Sequence, residues 1–76
     1  MIDTNLVGRR IAEARRKSGI TQSALAVRVG VTAQAVSKWE QGRSCPDIAI
    51  LDEIADALGI SLFELLGMEE RNKSSS

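Results

Sequence analysis

Residues 21–42 read TQSALAVRVGVTAQAVSKWEQG, and this stretch decides the architecture of the chain. Leu25, Ala26 and Val29 make one apolar stripe at helical spacing, and Val36 and Trp39 make another. Thr21 and Thr32 stand just ahead of the two stripes, where a hydroxyl accepts from amides that have no partner inside a helix. Gly30 stands where the first helix must stop, because glycine enters the left-handed conformation without a Cβ penalty. The expectation is two short helices hinged at Gly30-Val31 and crossing steeply, with Ala26 small enough to let them approach.

Working outward, residues 6–18 carry Val7, Ile11, Ala14 and Ser18 on one helical face, with Arg9, Arg10, Arg16 and Lys17 pointing away. Asp3, Thr4 or Asn5 caps this helix, and residues 1–5 are expected to be a loose N-terminus. At 3.6 residues per turn Arg15 falls inside the apolar stripe, and a charge there needs a partner. In the third helix Glu40 lies near the inward direction of Val36, whereas Gln34, Ser37, Lys38 and Gln41 point out. The simplest resolution is an Arg15–Glu40 ion pair that locks the first helix to the third.

Downstream, Pro46 biases Cys45 towards an extended conformation, and Asp47 caps a fourth helix running to about Leu58. Its expected buried stripe is Ile48, Leu51, Ile54, Ala55 and Leu58. Gly59 stops it, and Ser61 and Glu64 have the spacing of a capping box for a short fifth helix ending before Gly67. Residues 68–76, polar from Glu69 onward and serine-ended, are expected to form a disordered tail. Nothing reads as a strand. The fold class is all-α, five helices over residues 6–67.

Seventy-six residues with 43% apolar content supply one small core. No run approaches the roughly 20 apolar residues of a membrane span. With Cys45 as the only cysteine and no histidine, an internal disulfide is excluded, and neither a metal site nor a cofactor is expected. A reducing cytoplasm is the expected setting. Net charge is zero, but residues 1–46 hold eight Lys/Arg against three Asp/Glu, and residues 47–76 hold two against seven. One half can therefore approach an anionic polymer while the other faces away.

The chain resembles the lambda-repressor-like family of helix-turn-helix DNA-binding domains, the Cro/Xre group of bacterial and phage regulators. Counting from Gln22, the motif wants an apolar fourth residue and a small fifth, supplied by Leu25 and Ala26. It wants glycine ninth and an apolar tenth, Gly30 and Val31, and buried residues fifteenth and eighteenth, Val36 and Trp39. Residues 7–11, Val-Gly-Arg-Arg-Ile, look like the family's first helix, and Trp39-Glu40-Gln41-Gly42-Arg43 like the end of its recognition helix. Pro46 with Ile54-Ala55-Asp56-Ala57-Leu58-Gly59-Ile60-Ser61 resembles the fourth helix and the turn beyond.

The resemblance implies a lambda-repressor-like domain whose third helix lies in the major groove of double-stranded DNA. By position, the implied base contacts are Ala33, Gln34, Ser37 and Lys38, and the implied phosphate contacts are Gln22, Thr32, Gln41 and Arg43. An arginine of the first helix paired with the glutamate ending the third is a recurring feature of the family. Where relatives often carry glutamine, this chain has Ala33, so its sequence preference cannot be borrowed.

Blander readings stand beside these. Gln34 and Lys38 suit a solvated face as well as a base edge. Trp39 is a core anchor rather than a stacking platform, and Cys45 has only Arg43 nearby to stabilise a thiolate. Leu62, Phe63, Leu65, Leu66 and Met68 exceed what one short helix buries, so Phe63, Leu66 and Met68 are candidates for a homodimer interface. A homodimer would suit a palindromic operator. The expected function is a sequence-specific transcription regulator, a repressor or autoregulator, with no catalytic machinery and no small-molecule ligand evident. The alternative is a protein-interaction module, such as an antitoxin or regulator-inhibitor, whose acidic C-terminal helices bind a partner.

Overall fold

A computed structural model describes residues 3–67, which form five helices and no strand. They are α1 (Thr4–Lys17), α2 (Gln22–Val29), α3 (Ala33–Glu40), α4 (Ile48–Leu58) and α5 (Leu62–Leu65). Met68 and the tail expected over residues 68–76 lie outside the described residues.

Each helix starts on a side-chain cap. Thr21 Oγ1 accepts from the Ala24 amide at 3.0 Å, Thr32 Oγ1 from Ala35 at 3.1 Å, Asp47 Oδ1 from Ile50 at 2.9 Å and Ser61 Oγ from Glu64 at 2.9 Å. In α1 the cap is Asp3, whose carboxylate accepts from the Asn5 and Leu6 amides. That pair of bonds starts the helix at Thr4, so the loose segment expected over residues 1–5 already contributes a cap and two helical residues. Gly30 ends α2 in the left-handed conformation (φ 73°), which lets the Val31 amide reach back to the Ala26 carbonyl at 3.0 Å. The turn between α2 and α3 is thus closed by its own backbone.

One core serves the described residues. Val7 and Ile11 of α1, Leu25, Ala26 and Val29 of α2, and Val36 and Trp39 of α3 meet Leu51, Ile54, Ala55 and Leu58 of α4 and Leu65 of α5. Helix α3 packs on α1 and α2, whereas α4 packs on α2, α1 and α5. Arg28 ties α2 to α4 by donating from Nη1 to the Ala57 carbonyl at 3.2 Å, on the orphan carbonyls of the last turn.

Two faces differ from the sequence reading. The buried face of α1 is Val7, Gly8, Ile11 and Ala12, whereas Ala14 is half-buried and Ser18 exposed. Gly8 faces α3 so closely that a Cβ there would overlap the Trp39 carbonyl oxygen, while Ala14 packs at the edge of the core. Ile48 is 57% exposed, because it occupies the first turn of α4, before that helix meets the rest of the core.

Candidate nucleic-acid interface

Helix α3 buries Val36 and Trp39 and turns its other side outward. Gln34 and Lys38 are exposed on that side, with Ala33 and Ser37 half-buried beside them. Thr32 is exposed, but its Oγ1 is already engaged as the cap of α3. Gln41 and Arg43 are exposed just beyond the helix. The fold therefore collects Thr32, Ala33, Gln34, Ser37, Lys38, Gln41 and Arg43 on and around one short helix.

The carboxyl end of α3 is held by a charged cluster. Arg15 Nε donates to Glu40 Oε2 at 2.7 Å and Nη2 to Glu40 Oε1 at 3.1 Å, a two-pronged contact matched to the planar guanidinium. Arg15 Nη1 donates to the Ile20 carbonyl at 2.9 Å, so the same side chain also braces the turn between α1 and α2. Both side chains are largely withdrawn from solvent, 12% exposed for Arg15 and 6% for Glu40. Burial alone would raise the carboxyl's pKa. The hydrogen bonds from Arg15 and Gln22, with the charges of Arg15 and Arg16, outweigh that and hold Glu40 below its ordinary value. The bond to Glu40 raises Arg15 against the opposing effect of burial. Both groups stay ionised at neutral pH, and the negative charge nearest the outward face of α3 is already neutralised.

Gln22 is engaged differently from what its position suggested. Its Nε2 donates to Glu40 Oε1 at 3.0 Å, and the residue is half-buried. An amide nitrogen carries two hydrogens, so one remains for an anion at the start of α2, where the helix dipole favours negative charge. Gln41 also has a partner: its Nε2 donates to Ser37 Oγ at 2.8 Å. Neither bond is apparent from the residues taken singly. The four-residue spacing of Ser37 and Gln41 on one helix was a usable signal; Gln22 and Glu40 meet only through the tertiary fold.

Of the candidate dimer residues, Phe63 is 61% exposed, whereas Leu66 is half-buried and packs against the core. Among the described residues there is no cluster of potential metal ligands, and no helix is long and apolar enough to cross a membrane.

A family model described as helix-turn-helix matches residues 11–65. An uncharacterised HTH-type transcriptional regulator of Sinorhizobium fredii, y4dJ, is 43% identical over 61 residues, covering 80% of this chain and 79% of the relative. Among solved structures, the P22 c2 repressor in complex with a synthetic operator aligns with a TM-score of 0.77 and 37% identity, over 82% of this chain and 94% of that one. The restriction-modification controller protein C.AhdI of Aeromonas hydrophila aligns with a TM-score of 0.78 and 30% identity, over 83% and 91%. With the fold and a match over most of its length in agreement, the chain belongs to the helix-turn-helix family of lambda-repressor-like, Cro/C1-type DNA-binding regulators.

Proposed function

We propose that this regulator binds a specific double-stranded DNA site with α3 in the major groove and acts as a repressor or autoregulator, with no catalytic step. The observation that carries this reading is the outward side of α3: Gln34 and Lys38 are exposed while Val36 and Trp39 anchor the opposite side. Glutamine pairs with the N6 and N7 edge of adenine, lysine donates to guanine, and Ala33 meets a thymine methyl. Gln22, Thr32, Gln41 and Arg43 set the register on phosphates. In this reading the chain works in the cytoplasm as a homodimer through Phe63, Leu66 and Met68, and presents two copies of α3 about 34 Å apart to a palindromic operator.

The decisive experiment is a salt titration of binding to duplexes selected from a random pool. A protein seated on several phosphates loses affinity steeply between about 50 and 200 mM salt. Absence of salt-dependent binding to any duplex overturns the proposal and favours the protein-interaction alternative, for which exposed Asp52, Glu53 and Asp56 would be the docking face.

Reading and positioning separate by mutation. Lys38→Ala is expected to cost about 1–3 kcal/mol on the selected site and to relax preference at one base pair. Gln22→Ala is expected to weaken selected and random DNA alike and, since a neutral amide releases no counterion, to leave the salt slope unchanged. Equal weakening of all sequences by Lys38→Ala would assign that lysine to phosphate.

A further inference from the structure

Ser37 and Gln41 stand one helical turn apart on the outward side of α3 and its end, and Gln41 Nε2 donates to Ser37 Oγ at 2.8 Å. A serine within a helix commonly turns its proton back to the carbonyl four residues earlier. Among the described residues Ser37 makes no such bond; its hydroxyl takes the Gln41 hydrogen instead. A hydroxyl has one hydrogen to give and two lone pairs to receive. With one lone pair occupied by an amide, the O–H bond is further polarised and becomes the better donor.

We propose that Gln41 sets the hydrogen-bond polarity of Ser37, so that Ser37 reads base edges as a donor and discriminates against cytosine. The inference rests on the major-groove placement of α3 proposed above. In that groove guanine offers N7 and O6, adenine N7 and thymine O4 as acceptors, whereas cytosine offers its N4 hydrogens. A donor-polarised hydroxyl serves the first three with its strengthened hydrogen, whereas cytosine must be met by the one lone pair that Gln41 leaves free, the weaker arrangement. Gln41 thereby acts through Ser37 as a positioning residue, and its second amide hydrogen stays free for a phosphate.

The test is selection from randomised duplexes with the intact chain and its variants, each variant being checked for native helix content. The base that Ser37 reads is defined as the position whose preference disappears in Ser37→Ala. At that position the unaltered protein is expected to disfavour cytosine about two- to fivefold, part of the value of one hydrogen bond. Gln41→Glu replaces a donor by an acceptor, draws the Ser37 proton inward and should shift the same position towards cytosine. Gln41→Lys, which can only donate, should keep the original preference. A structural role for Gln41 would change affinity at all positions and leave this pattern unmoved. The inference is overturned if Ser37→Ala leaves every preference intact, if cytosine is favoured there by the unaltered protein, or if Gln41→Glu and Gln41→Lys select the same base. If the unaltered protein enriches no sequence at all, the base-reading role of α3 itself falls, and the inference with it.

Discussion

Replacing Arg15 with alanine is expected to destabilise the fold by an amount near the lower end of the roughly 3–5 kcal/mol typical of fully buried pairs, because it leaves the part-buried Glu40 carboxylate without its cation. Glu40→Ala should cost a similar amount, orphaning Arg15 and releasing Gln22 together. The double substitution should cost less than the sum, since the two residues share one interaction. Urea denaturation measures all three, and unchanged midpoints in both single variants would show that the pair contributes nothing. Acid probes the same contact. Glu40 is held below its ordinary carboxyl pKa of 4.5, so its contribution is complete above the unfolded value and is lost as pH falls through the folded one. Stability should therefore decline below about pH 4.5, and Glu40→Gln should flatten that decline. Arg15 shifts the other way, upward, so alkali leaves the pair intact over the range in which proteins are handled.

Gly8→Ala is the second large effect, and here two forces oppose each other. Alanine favours a helix interior over glycine by about 1 kcal/mol, which on an exposed face would stabilise α1. At this site the new methyl would overlap the Trp39 carbonyl oxygen and press the Glu40 carbonyl, 3.2 Å away. Backbone atoms do not swing aside as a side-chain tip does, so α1 and α3 must separate. Overpacking commonly costs about 1–3 kcal/mol, and the upper end is expected where backbone meets methyl. The net outcome is a lower melting temperature, by thermal denaturation followed in the far ultraviolet. A rise would mean that α1 and α3 do not touch there.

The starts of α2 to α5 were legible because capping is local chemistry, whereas α1 begins two residues earlier than its periodicity showed. Thr21, Thr32, Asp47 and Ser61 each sit three residues ahead of the amide they receive, and Gly30 and Gly59 close their helices with positive φ. Periodicity was equally sufficient for Val36, Trp39, Leu51, Ile54 and Leu58, which point inward where a neighbour exists. It failed at Ile48 and Ser18 because a helical wheel gives a direction, not the presence of something in that direction. Gly8 was legible only as part of a motif. Its reason, a backbone lying against it from 31 residues later, is tertiary. In the candidate site, exposure at Gln34 and Lys38 follows from their position opposite Val36. The bonds that pre-engage Gln22 and Gln41 do not follow from direction at all, since they depend on which rotamer finds a partner.

The grip on α3 is uneven, and this has an angular consequence. Gly8 against Trp39, Arg15 on Glu40 and Gln22 on Glu40 all act at the carboxyl end of the helix. An eight-residue helix is about 12 Å long, so a tilt of about 5° about its amino end, which the Val31–Ala26 bond of the turn still holds, displaces the carboxyl end by roughly 1 Å. That shift exceeds the half-ångström window in which a nitrogen–oxygen hydrogen bond keeps its geometry. Loosening the clamp would therefore blur Lys38 near the freed end before Gln34 near the pivot. Variants that weaken the clamp without unfolding the chain should lose discrimination at Lys38, nearest Glu40, before Gln34.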